Sequence, residues 1–237
     1  MDNDLQKIRQ DYNNIEQIWP ENDAWHQYTK SQIENAIYKW ISPKQQDLIL
    51  NAGSGGTDYA INGIVHHLDI AEQKIKDKLY YKIGSVENIP YEDNMFDFII
   101  CVGSVLNYTQ ALTTIKELSR VIKPNGYIIL EYERSNTGEL IFSKNYGQTC
   151  TCEFYNYNGQ EHKLWLYSDK YINNICSLYS LKIVKQKRFH IISSIVSKYK
   201  SEEIGAKYAK KFDKISKVLS YLLSHNRIML LRKCITD

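Results

Sequence analysis

Residues 47–56 read Asp47-Leu48-Ile49-Leu50-Asn51-Ala52-Gly53-Ser54-Gly55-Gly56. A compact apolar run closed by glycines has the pattern of a buried parallel strand feeding a tight loop. Downstream, residues 64–69 predict a second strand that ends on Asp69, and residues 80–83 a weaker third. Residues 96–102 predict the fourth and clearest strand. Leu112, Ile115, Leu118 and Ile122 then mark one face of a helix. Lys123-Pro124-Asn125-Gly126 ends it, because proline cannot continue a helix and glycine frees the turn. Residues 127–131 follow as a fifth strand. Strands alternating with helical segments predict an α/β fold around a mostly parallel sheet.

On the N-terminal side, residues 1–45 are polar and helical, with Ile15, Ile18, Ile33, Ile37, Trp40 and Ile41 at loosely helical spacings and a break at Pro20. On the C-terminal side, residues 149–158 and 161–167 flank Asn158-Gly159, a strong hairpin signal. Ser168 suits the N-cap of a helix carrying Tyr171, Ile172, Ile175 and Leu178. Residues 181–190 return as a strand and residues 226–234 close as the last one. Between them, 201–223 predicts an amphipathic helix, with Ile204, Tyr208, Phe212, Ile215, Leu219 and Leu222 inward and Lys207, Lys211, Lys214 and Lys217 on another face. The expected plan is one domain: a helical cap (1–45), a core (46–133), an inserted hairpin (134–168), and a return to the core (169–237).

At 237 residues the chain suits one α/β domain with additions, and 43% hydrophobic against 24% charged residues is a globular composition. No run reaches the length of a membrane span, and the first residues lack the basic-then-apolar pattern of a signal peptide. Five cysteines without a framework spacing fit a reduced, cytoplasmic chain with neither disulfide nor metal. Cys150 and Cys152 stand one residue apart, which is not a zinc or redox spacing, and Cys101 reads as a packed thiol. The net charge of +3 hides an asymmetry: residues 182–217 hold eleven Lys or Arg against three acids. A solvated helix face accounts for this, and an anionic partner is the other reading.

Glycines at the end of the first strand let the backbone amides approach a ligand. Asp69 follows Gly53 by sixteen residues, where a carboxylate can accept from both hydroxyls of a ribose. The run Gly84-Ser85-Val86-Glu87-Asn88-Ile89-Pro90 through Asp97, and Leu118-Ser119-Arg120 through Lys123-Pro124-Asn125-Gly126, complete the order. Together these features resemble a class I S-adenosylmethionine-dependent methyltransferase, most firmly over residues 47–132. The resemblance implies a Rossmann-like, seven-stranded, mostly parallel sheet with helices on both faces and a reversed last strand. It also implies S-adenosylmethionine as cofactor. Carried over by position, Asn51, Gly53, Ser54, Gly55 and Gly56 would hold its methionine part, and Asp69 with Ile70 its ribose. Ser85 and Val86 would frame the adenine, while Val102, Gly103 and Ser104 would border the transferred methyl group.

The chain departs from that family at several points. Asn51 stands where Glu or Asp is common, Thr57 replaces the third glycine, and Ser85 takes an often acidic position. Only residues 54–63 separate the glycine loop from the second strand, too few for the usual long helix. A loop or one turn is expected there, with the N-terminal helices covering that side. A nicotinamide cofactor is disfavoured, because the third glycine of its fingerprint would fall on Asp58.

Methyl transfer depends mainly on holding an acceptor atom in line with an activated methyl group, so no catalytic triad is required. Residues 103–108 read Gly-Ser-Val-Leu-Asn-Tyr, neither the Pro-Pro-aromatic motif of base-methylating DNA enzymes nor a Pro-Cys nucleophile. An O- or N-methyltransferase of small molecules is the leading expectation. The alternatives are a methyltransferase acting on RNA or another macromolecule, and a non-catalytic binding module on the same fold. Tyr28, Asn107 and Tyr108 are the expected acceptor-pocket residues. His26 and His162 read more simply as surface or core histidines.

Overall fold

The computed structural model describes residues 3–157, 159–201, 203–207 and 217–235. The run after Asp47 forms β1 (Leu48–Ala52), buried from Ile49 onward. With β2 (Ile64–Asp69), β3 (Tyr81–Ile83) and β4 (Phe96–Cys101) it pairs in parallel in the spatial order β3-β2-β1-β4. β5 (Ile122–Glu133) extends the sheet in parallel. A hairpin of β6 (Cys150–Tyr157) and β7 (Gln160–Tyr167) stands apart as its own two-stranded sheet. β8 (Leu181–Phe189) and β9 (Asn226–Lys233) complete seven strands ordered β3-β2-β1-β4-β5-β9-β8. β9 runs antiparallel to both neighbours, so the last strand is reversed as expected.

Strand periodicity sorts the core into two faces. Leu50, Ile99 and Leu130 project to one side, where helices α4 (Ala111–Val121) and α5 (Asp169–Leu178) pack. Ile49, Ile100 and Ile129 project to the other, against Ile33 and Ile37 of the N-terminal helix that spans Ala24–Trp40. Burying each such side chain contributes about 1.5–3 kcal/mol, so both layers carry substantial stability. In chain order α1 is Asn3–Asn14, α2 Ala24–Trp40 and α3 Glu72–Ile75, while α6 is Ile192–Tyr199 and α7 Lys217–Leu223. The break at Pro20 falls between α1 and α2. Asp23 caps α2 by accepting from the His26 amide at 3.0 Å.

Residues 53–63 form no helix, and the N-terminal segment takes the vacant place. The Ile18 side chain comes within 3.0 Å of where a Cβ on Gly55 would lie, and Trp19 Nε1 donates to Thr57 Oγ1 at 3.2 Å. The predicted turn at 123–126 is absorbed into β5 as a bulge: Phe96 pairs with Ile122, and Phe98 next pairs with Tyr127. Ile122 therefore begins the strand, not the helix face, and Leu112 is largely exposed. Helix α6, which carries Ser193 and Ser194 inward, was not predicted.

Of the predicted hairpin turn, Asn158 lies outside the described residues, as do Tyr208, Lys211, Phe212, Lys214, Ile215 and the Lys217 side chain. Within the described part of 201–223, Ile204, Leu219 and Leu222 are exposed, and Ala206 and Leu223 are buried instead. The inward face was misassigned because Gly205 lies tight on α6, with Ser193 O only 2.8 Å from where its Cβ would be.

A buried ionic knot fixes the hairpin and the last strand to the core. Asp169, at the start of α5, accepts from Arg134 Nε and Tyr132 OH at 2.8 Å and from Arg188 at 2.7 Å. Burial alone would raise this carboxyl, but Arg134 and Arg227 overcome it and hold Asp169 well below the usual range. Arg134 N in turn donates to His225 O at 2.8 Å, which fixes the chain where β9 begins.

Candidate functional site

The C-terminal ends of β1, β2, β4 and β5 open into one cavity of about 560 Å³, roofed by α1 and the β6–β7 hairpin. Ligands sit in this place in open α/β sheets, outside the carboxyl ends of the strands. Of the cofactor residues expected from sequence, Asn51, Gly53, Ser54, Gly55, Asp69, Ile70, Ser85, Val86, Val102, Gly103 and Ser104 all line it. Gly56 does not. Its φ is +75°, and a Cβ there would lie 2.1 Å from Lys74 O, so it serves the close crossing of the loop over α3.

The glycine loop departs from expectation in its chemistry. Gly53 N and Ser54 N both donate to Leu68 O, at 2.8 and 3.1 Å. Gly55 N donates to Asp69 Oδ2 at 2.7 Å and Gly56 N to Ser54 Oγ at 3.2 Å. After β4, Gly103 N and Ser104 N both donate to Glu131 Oε2 at 2.9 Å. The amides that were expected to meet the ligand are thus used inside the protein. The wall offers mainly hydrogen-bond acceptors, above all the Asp69 carboxylate, whose second oxygen accepts from Ala71 N at 2.8 Å. Such a cradle does not suit a pyrophosphate, which needs amide donors. It suits a cofactor that presents donors, as the ribose hydroxyls and ammonium of S-adenosylmethionine do. Burial raises the Asp69 carboxyl, and the backbone donors Ala71 and Gly55 pull against it.

Asn51 is buried, and its Nδ2 donates to Thr57 O at 2.8 Å, so it braces the loop as well as bordering the cavity. Of the three residues expected at the acceptor, only Tyr108 lines the cavity. Its hydroxyl accepts from Tyr12 OH at 3.1 Å and meets His162 Nδ1 at 3.2 Å, joining α1, the β4 loop and the hairpin. Asn107 is fully buried: its Nδ2 donates to Glu133 O and Trp165 O, and its Oδ1 accepts from Glu133 N. It is a strut between β5 and the hairpin. Tyr28 is buried against Phe189 and His190, away from the cavity wall. Both placements follow from polarity and packing that the sequence does not display. His26 and His162 do border the cavity.

The sequence reading missed an acidic group at the far end of β5. Glu131, completely buried, accepts from both β4-loop amides and, at 2.7 Å, from Asn226 Nδ2. Burial pushes its carboxyl up to about 7, despite the opposing donors Ser104 N and Asn226. Glu133 accepts from Ser104 Oγ at 2.6 Å. His225 sits between two carboxylates, with Nε2 3.3 Å from Glu133 and Nδ1 3.0 Å from Glu139. Burial would lower this imidazole, but Glu139 and Glu133 outweigh it and raise it well above its ordinary value, favouring the imidazolium. Burial likewise opposes ionisation of Glu133, and His225 with Ser104 outweighs it, holding the carboxyl low. The available signal was Glu131 and Glu133 at strand period in an otherwise apolar run. Among the described residues, no cluster of His, Cys, Asp and Glu could hold a metal ion.

Residues 48–130 match a family model described as a methyltransferase domain. The chain is 31% identical over 81 residues to a demethylmenaquinone methyltransferase of Geobacillus sp. (strain WCH70), a match covering 32% of this chain and 35% of that protein. It spans about a third of the length of the curated relatives it matches. Among solved structures, it is similar to geranyl diphosphate C-methyltransferase from Streptomyces coelicolor A3(2), with a TM-score of 0.65 at 10% identity over 98% of both chains. It is also similar to 1,6-didemethyltoxoflavin-N1-methyltransferase from Burkholderia thailandensis, with a TM-score of 0.55 at 10% identity, covering 98% of this chain and 87% of that one. With the strand order and the reversed last strand, these likenesses show that the chain has the fold of the class I S-adenosylmethionine-dependent methyltransferases and that residues 48–130 match a methyltransferase domain.

Proposed function

We propose that this chain transfers a methyl group from S-adenosylmethionine to a small molecule, at an oxygen or nitrogen atom. The observation that carries the reading is the single cavity in which the Asp69 cradle continues into a chamber closed by α1 and the β6–β7 hairpin. Asp69 with Ile70 would hold the ribose, Ser85 and Val86 would frame the adenine, and the loop from Gly53 to Gly55 would hold the methionine part. When bound, the cofactor supplies an electrophilic methyl carbon on a sulfonium. The protein's part is to exclude water, fix the acceptor atom in line and stabilise its developing charge. Gly103 and Ser104, locked by Glu131, form the floor beside which the acceptor would be placed.

Relatives named for quinone, isoprenoid and heterocycle substrates support a small acceptor. The basic segment gives a macromolecular acceptor little support. Arg188 pairs with Asp169, Lys187 donates to Gln32, and Lys207 pairs with Glu203. No described helix is long and apolar enough to cross a membrane. We place the protein in the cytoplasm, where five cysteines without a framework spacing would stay reduced.

Calorimetric titration with S-adenosylmethionine and S-adenosylhomocysteine tests this reading. Micromolar binding of both, abolished by Gly103→Trp, is the expected result. Absence of binding by the folded chain would leave a non-catalytic module on a methyltransferase fold.

A further inference from the structure

The chamber beyond the cofactor cradle is rich in carboxylates. Glu133, Glu139 and Glu153 border it, against two cations, His225 and Lys198. His225 lies between Glu133 and Glu139, and Lys198 Nζ donates to the Glu139 carbonyl. Tyr155 spends its proton on Glu139, donating to Oε2 at 3.1 Å. Among these side chains the carboxylates outnumber the cations by one. Glu153 accepts only from the neutral amide of Asn145, at 2.7 Å, among the bonds of the described residues. A partly buried carboxylate without a counter-ion is costly.

Asn226 supplies a second and independent sign. It stands opposite Glu133 in the β5–β9 register, is 2% exposed, and belongs to the cavity wall. Its Nδ2 donates to Glu131 at 2.7 Å, which sets the orientation of the amide while Glu131 is ionised. The Oδ1 then accepts from nothing among the described residues. A buried acceptor without a donor is rare in folded proteins and calls for a partner. Nearby, Leu140, Leu164 and the Tyr155 ring offer apolar surface for the rest of a ligand.

On the reading that the chain is a methyltransferase, we propose that this pocket, bordered by Asn226, Glu133, Glu139 and Glu153, binds the protonated amine of the methyl-acceptor substrate. An ammonium brings several N–H donors and one positive charge, which matches both the orphaned Oδ1 and the unbalanced carboxylate. An alcohol would leave the charge uncompensated, and a carboxylic acid would add to it. His225 bridges the two glutamates, with one ring nitrogen facing each.

The test is calorimetry on the full chain saturated with S-adenosylhomocysteine, using 2-phenylethylamine, tryptamine and n-hexylamine, each beside the alcohol of the same skeleton. At least one amine should bind about tenfold or more tighter than its alcohol, as a charge-assisted hydrogen bond would give. Glu139→Gln, which keeps the shape and removes the charge, should erase most of that preference while S-adenosylhomocysteine still binds. A thermal melt confirms that the variant is folded, and Asn226→Leu serves as the second variant with the same expected loss. Equal binding of amine and alcohol overturns the proposal, as does failure of all three amines or a preference that survives both variants. Failure of S-adenosylhomocysteine itself to bind strikes the methyltransferase reading instead, so the two failures are distinct.

Discussion

Asp69 Oδ2 accepts a 2.7 Å hydrogen bond from the Gly55 amide, so the carboxylate that ends β2 also ties down the glycine loop that ends β1. The residue expected to hold the ribose thus shapes the cradle around it. Asp69→Ala should weaken S-adenosylhomocysteine by about 1.5–3 kcal/mol, roughly ten- to hundredfold, and lower the thermal midpoint as well. Asp69→Asn should not rescue it fully. One of its two positions becomes an NH2 facing the Gly55 or Ala71 amide, donor against donor. Calorimetry and melting of both variants would show this, and an unchanged affinity in Asp69→Ala would remove the residue from the site.

Gly56 and Gly159 both have positive φ, +75° and +76°, but they differ in surroundings. A Cβ on Gly56 meets Lys74 O at 2.1 Å, whereas nothing lies within 4 Å of one on Gly159. Gly159→Ala should cost about 1 kcal/mol from backbone strain alone. Gly56→Ala should cost clearly more, because the loop must also lift off α3. Denaturant melts of the two variants give the comparison, and equal losses would contradict the close crossing.

His225 makes stability depend on pH in a definite sense. Its folded value lies well above the ordinary 6.5, so its protonation stabilises the fold fully below pH 6.5. That contribution disappears as pH rises through the folded value. The stability difference between the wild type and His225→Gln should therefore be largest near pH 6 and shrink steadily on the alkaline side. A difference that grows with pH would mean that the imidazole is neutral between Glu133 and Glu139.

The cofactor half of the site was legible because its signals are local. Residues 47–56 and Asp69 lie in consecutive βα units, and a buried strand ending in glycine declares itself without knowledge of the rest of the chain. The extent of β5 was less legible: Pro124 and Gly126 look like a turn and are in fact a bulge within a continuous strand. The acceptor half was hidden by distance. Glu131 and Asn226 are joined across 95 positions by the pairing of β5 with β9, and nothing near Asn226 in sequence reveals its partner. Asn107 misled for a related reason. An asparagine beside the methyl-transfer strand suggests a substrate contact, yet all of its hydrogen-bonding capacity named here goes to Glu133 and Trp165.

Tyr108 is where the roof of the chamber is latched. Its hydroxyl takes the Tyr12 proton at 3.1 Å and lies 3.2 Å from His162 Nδ1, and the three rings meet edge to face. Tyr108→Phe keeps the ring contacts and loses the hydroxyl, so α1 should open more often without unfolding the core. Amide hydrogen exchange over residues 3–14 should accelerate several-fold, since each hydrogen bond lost is worth about 0.5–1.5 kcal/mol. Methyl transfer should slow while S-adenosylhomocysteine affinity stays nearly constant, because a loose roof costs orientation of the acceptor, not cofactor contacts. Tyr28→Phe serves as the contrast. That ring packs between Phe189 and His190 away from the cavity, so exchange in α1 should stay at the wild-type rate. If Tyr108→Phe leaves exchange in residues 3–14 unchanged, the three-ring contact is ordinary packing and α1 is held by other contacts, such as Lys7 Nζ to Glu161 O and Gln73 N to Asn13 Oδ1.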